Sequence, residues 1–90
     1  MKRVEIIANQ SCEREIIEAL EANIPNFYYT LIPVVHGKGK RGYKLGNSTW
    51  PELNFMLISY LTDGDTEIAV RVVKEIKKQF PREGIFIVES

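Results

Sequence analysis

L-N-F-M-L-I-S-Y-L, residues 53–61, is the most apolar run of the chain. Phe55, Leu57, Ser59 and Leu61 alternate there with Asn54, Met56, Ile58 and Tyr60. Successive side chains of a strand point to opposite faces, so both faces of this segment are largely apolar. That predicts a central strand, covered on both sides.

The elements around it follow from local signals. Thr62-Asp63-Gly64-Asp65 reads as a turn, with Asp65 or Asp63 capping a helix. Residues 66–79 place Ile68, Val72, Ile76 and Phe80 at i, i+4, i+8 and i+12, flanked by Ala69 and Val73. This is the apolar stripe of an amphipathic helix. Lys74, Lys77 and Lys78 complement the negative end of its dipole, and Pro81 ends it. Gly84–Val88 reads as a last strand. Before the central run, residues 27–36 (F-Y-Y-T-L-I-P-V-V-H) are aromatic and β-branched and predict a strand. Pro33 within it cannot donate to a ladder, so this strand is at an edge, bulged or bent. Residues 2–9 predict a first strand, with Val4, Ile6 and Ala8 on one face. Ser11 is the expected cap of a helix over 12–23. Its stripe is Ile16, Ile17, Leu20 and Ile24, with Glu15, Glu18 and Glu21 off it. Asn23 and Pro25 end it.

The order is β-α-β-β-α-β. It predicts an α+β, ferredoxin-like sandwich, an antiparallel sheet with two helices on one face. The other face would carry Ile7, Met56 or Phe55, Tyr60, and Phe86 or Ile85. An apolar surface of that size marks an interface, so a closed homo-oligomer is expected.

Ninety residues make one domain, here 1–90. With 44% apolar and 27% charged residues the chain is expected to fold rather than remain disordered. Twelve basic residues balance twelve acidic ones, which argues against a dedicated nucleic-acid binder. The single cysteine, Cys12, excludes a disulfide framework within the chain and fits a reducing, cytoplasmic setting. The N-terminus lacks the pattern of a signal peptide, and no apolar run approaches the ~20 residues of a membrane span.

The charge is uneven. V-V-H-G-K-G-K-R-G-Y-K-L-G-N-S-T-W, residues 34–50, holds four of the six glycines and four of the twelve basic residues, and no acid. Successive backbone N–H groups of Gly37–Gly46 could cradle an anion, with Lys38, Lys40 and Arg41 adding charge. The spacing matches neither the phosphate loop nor the dinucleotide fingerprint. Docking of a protein partner, or a plain solvated hairpin, fits the same residues. His36, the only histidine, could touch a ligand or bind metal if an oligomer brought several copies together, but no ligand spacing links it to Cys12, Met56, Glu52 or Glu89. Cys12 falls at a helix N-terminus, where a thiol's pKa tends to be lowered; a small packed residue is the simpler reading. Trp50, Tyr28, Tyr29, Tyr43 and Tyr60 could stack a base or form an interface. No constellation for catalysis is present.

Three stretches carry a family resemblance: M-K-R-V-E-I-I (1–7), E-I-I-E-A-L (15–20) and V-V-H-G-K-G-K-R-G (34–42). With the element order and a long glycine-and-basic loop between the second and third strands, the chain resembles the PII family of nitrogen-regulatory signalling proteins. The last stretch is similar to that family's G-x-G-R-x-x-G at the base of its T-loop. Gly37 and Gly39 stand at the family's glycines, Lys40 at an arginine that contacts nucleotide phosphate, and Gly42 at the closing glycine with one residue deleted. The loop is shorter than the family's, and so is the stretch Phe80–Gly84 before the last strand. The resemblance implies a homotrimer that binds a small anionic effector, ATP, ADP or AMP, at subunit clefts lined by Gly37, Lys38, Gly39, Lys40, Arg41 and Gly42. It also implies an exposed loop over 38–49 that docks a transporter or an enzyme, and a regulatory role in place of catalysis. The alternative on the same frame is a metal-responsive trimer of the CutA type, with His36 as the ligand.

Overall fold

The structure is a computed structural model and describes residues 1–39, 42–44 and 52–90; for Gly39 and Gly42–Lys44 it describes the backbone alone. The elements are β1 (Lys2–Asn9), a 3-10 turn (Gln10–Cys12), α1 (Glu13–Asn23), β2 (Thr30–Val35), β3 (Gly37–Gly39), β4 (Gly42–Lys44), β5 (Asn54–Leu61), α2 (Asp63–Gln79) and β6 (Ile85–Glu89). The main sheet has the order β2-β5-β1-β6, every neighbouring pair antiparallel. This is the ferredoxin-like α+β sandwich that the element order predicts.

The core lies between the sheet and the helices. Val4, Ile6 and Ala8 of β1, Phe55, Leu57 and Leu61 of β5 and Ile85 of β6 meet Ile16 and Leu20 of α1 and Ala69, Val72, Val73 and Ile76 of α2. Phe55 and Ile85 therefore face the helices. Met56 and Phe86 are left on the opposite face. The register aligns Phe86, Ile7, Met56 and Ile32 in one row across all four strands.

Three local expectations change. Asn9, not Ser11, caps the first turn: its Oδ1 accepts from the Ser11 N–H at 2.9 Å. β1 runs on to Asn9 and turns through a 3-10 segment, which leaves Cys12 as the α1 cap without a side-chain bond. Thr62, not Asp63 or Asp65, caps α2, its hydroxyl accepting from the Asp65 N–H at 3.1 Å; both aspartates lie in the first turn, where the dipole still favours them. Finally, β2 begins at Thr30, not at residue 27. Asn26 adopts φ 53°, a left-handed turn that asparagine tolerates. It sends Phe27 into the core, stacked 5.3 Å from Tyr29.

The reading of Pro33 holds. β2 is an edge strand, and its register with β5 shifts between Ile32 and Val35.

Candidate functional site

The glycine-basic segment leaves β2 through His36 and doubles back on itself. Gly37 pairs with Lys44, Lys38 with Tyr43 and Gly39 with Gly42, a two-stranded ribbon separate from the main sheet. The expected loop over 38–49 thus starts as a hairpin. Lys40 and Arg41, between its strands, lie outside the described residues, as do 45–51 with Trp50. Lys38 and His36 are exposed, and Gly37 is half-buried. A Cβ on Gly37 would stand 3.2 Å from Asn54 Nδ2, so glycine lets the ribbon's backbone pass close over the start of β5.

The chain before the ribbon, at Pro33, and the chain entering β5, at Glu52 and Leu53, rest on side chains that the motif reading passed over. Asn9 Nδ2 donates to Glu52 Oε2 at 2.7 Å, and Gln10 Nε2 to the Pro33 carbonyl at 2.7 Å. The Gln10 N–H donates to the Leu53 carbonyl at 2.9 Å. Asn9 also reaches the α2–β6 connection through its N–H on the Gly84 carbonyl, at 3.3 Å. The hint in the sequence is that Asn9 and Gln10 are polar residues at a strand-to-helix junction, where side chains often close turns.

A second feature lies at the other end of β2. Tyr28, Tyr29, Thr30, Ile58, Ser59 and Tyr60 surround an open hollow of about 230 Å³. Buried Ser59 donates its hydroxyl to the Tyr28 carbonyl at 2.7 Å, and Arg3 Nη1 reaches the Tyr60 hydroxyl at 3.4 Å. Three of the tyrosines named from sequence come together here; the side chain of Tyr43 lies outside the described residues.

Cys12 is fully buried. Burial pushes its thiol up from the ordinary value, the Ser11 hydroxyl pulls against this, and Glu83 and Glu15 add to the rise. The simpler reading of Cys12, a small packed residue, agrees with this burial, and desolvation is the main cause of the rise. Among the described residues no three His, Cys, Asp or Glu side chains are grouped to hold a metal ion, and no helix is long and apolar enough to cross a membrane.

A family model described as nitrogen regulatory protein P-II matches residues 1–89. No curated protein matches the chain at a significant level. Among solved structures, CPII from Thiomonas intermedia K12, a nitrogen regulatory PII-like protein bound to ADP, AMP and bicarbonate, superposes with a TM-score of 0.71 at 17% identity, covering 99% of this chain and 84% of that one. A protein from Thermus thermophilus described as PII-like and signalling gives 0.63 at 19% identity, over 99% and 83%. The de novo designed protein Foldit4 gives 0.57 at 15% identity, over 99% and 94%. The shared frame is thus found with and without a natural function, and a site must be argued from its own residues.

Proposed function

The chain belongs to the nitrogen regulatory protein P-II family, and from that membership we propose that it is a homotrimeric regulatory module, not an enzyme. It binds an adenine nucleotide at clefts between subunits, and through 38–49 it meets a protein target such as a transporter or an enzyme. Gly37, Lys38, Gly39, Lys40, Arg41 and Gly42 hold the phosphates, through backbone N–H groups and cationic side chains.

The observation that carries the reading is the separation of the two candidate half-sites. The ribbon starts beyond the end of β2, and the tyrosine hollow flanks its beginning. At ~3.3 Å per residue, Thr30 and Gly37 are roughly 20 Å apart. Across an extended strand of that length, one chain offers the two features far apart. One nucleotide can touch both where the ribbon of one subunit meets the tyrosines of the next, the phosphates on the ribbon and the base stacked on an aromatic ring. The apolar row Phe86–Ile7–Met56–Ile32, on the face without helices, supports such an assembly. The ADP and AMP bound by CPII support the ligand class.

Calorimetric titration with ATP, ADP and AMP tests this. Saturable binding is expected, weakened roughly tenfold or more in Lys38→Ala and in Lys40→Ala, the usual loss for a charge-assisted hydrogen bond. Tyr28→Ala and Tyr60→Ala should weaken it without changing the mass of the trimer. No binding of any of the three nucleotides would overturn the reading.

A further inference from the structure

We propose that Asn9 and Gln10 are positioning residues that clamp two stems to the end of β1, the outgoing one at Pro33 before the ribbon and the returning one at Glu52 and Leu53 before β5. The part concerning ligand affinity rests on the function proposed above. Gln10 holds the outgoing stem through its side chain on the Pro33 carbonyl and the returning stem through its N–H on the Leu53 carbonyl. Asn9 holds the returning stem again, through Glu52. Two consecutive residues thus hold the chain both before the ribbon and at the entry to β5.

The clamp has a firm anchor. β1 is paired on both edges, to β5 and to β6. Asn9 is only 6% exposed, and its carboxamide is committed at both ends, to Ser11 and to Glu52. It cannot swing away from the ribbon without uncapping the turn that starts α1. The outgoing stem needs the help. Pro33 lies where the β2–β5 ladder shifts register, so its carbonyl has left the regular pairing and Gln10 supplies a donor. A ribbon aimed in advance gives up less conformational entropy when it closes on a ligand.

Amide hydrogen exchange at residues 34–39 decides this, with residues 69–76 of α2 as the internal reference. Gln10→Glu keeps the length of the side chain, removes the donor and sets a carboxylate against a carbonyl. Exchange at 34–39 should rise roughly tenfold, the worth of about one hydrogen bond, with α2 unchanged. Gln10→Lys restores a donor and should return the wild-type rate. Asn9→Asp should also loosen the stem, and Asn9→Asp with Glu52→Gln, which exchanges donor and acceptor, should recover it. The affinity for ADP should fall and recover in step. Unchanged exchange in Gln10→Glu, an equal rise in α2, or no recovery in Gln10→Lys would overturn the clamp. Should the wild-type chain bind no ADP, the nucleotide reading fails, while the exchange series still settles the clamp.

Discussion

Ile7 of β1 stands directly across from Phe86 of β6 on the sheet face that carries no helix. Phe86 is 65% exposed in the single chain, and Ile32, at the far end of the same row, 38%. If copies of the chain cover this face, Phe86→Glu buries an unpaired charge at a cost of several kcal/mol. Light scattering after size exclusion should then report one chain in place of three. A mass unchanged by the substitution would remove this face from the assembly.

Gly37→Ala brings a Cβ to 3.2 Å from Asn54 Nδ2. The amide end of a side chain can give by a few tenths of an ångström, so the alanine variant should lose less than ~1 kcal/mol. Gly37→Val cannot be accommodated that way and should cost ~1–3 kcal/mol. Urea melts measure both. Asn54→Ala in the valine background should recover most of the loss, since it removes the atom that is struck.

Capping separates Thr62 from Ser11. Thr62→Ala removes the acceptor for the Asp65 N–H and should cost ~1 kcal/mol, lowering Tm by about 4–8 °C in a domain of this size. Ser11→Ala should change stability by no more than about 0.5 kcal/mol, because the cap there is Asn9. Equal losses in the two variants would show that Ser11 caps the first helix after all.

Cys12 should make stability depend on alkaline pH. Its folded pKa lies above the ordinary value of 9.0. Below that value folded and unfolded chains both hold the proton, and pH has no effect through this group. Above it the unfolded chain ionises first, so stability falls as pH rises toward the folded pKa. Denaturant melts from pH 8 upward should show this decline, and Cys12→Ala should flatten its thiol contribution. Iodoacetamide should label the native thiol slowly and the urea-unfolded thiol fast.

The frame was legible because its signals are local. The alternation at 53–61 and the stripe through Val72 and Ile76 are periodicities that any burial must respect. Pro33 announced an edge by its missing donor, and β2 is at the edge. The caps were misassigned because several hydrogen-bonding side chains crowd each junction. Which one is used depends on where the strand lets go of its ladder, and β1 lets go at Asn9. The residues under the ribbon were missed for a related reason. Asn9 and Gln10 lie far along the chain from Glu52 and Asn54 and form no motif with them.

By itself the sequence determined the element order, the faces of the strands and helices, and the basic glycine-rich segment between the second and third strands of the predicted order. Each follows from residue type and spacing. Tertiary structure alone decided that Met56 and Phe86, not Phe55 and Ile85, face away from the helices. It also brought Asn9 and Gln10 to Pro33, Glu52 and Leu53, and it set Tyr60 beside Tyr28 and Tyr29 in one hollow. Those outcomes depend on strand register, and register is set by the packing of the whole sheet against its helices, not by any one segment.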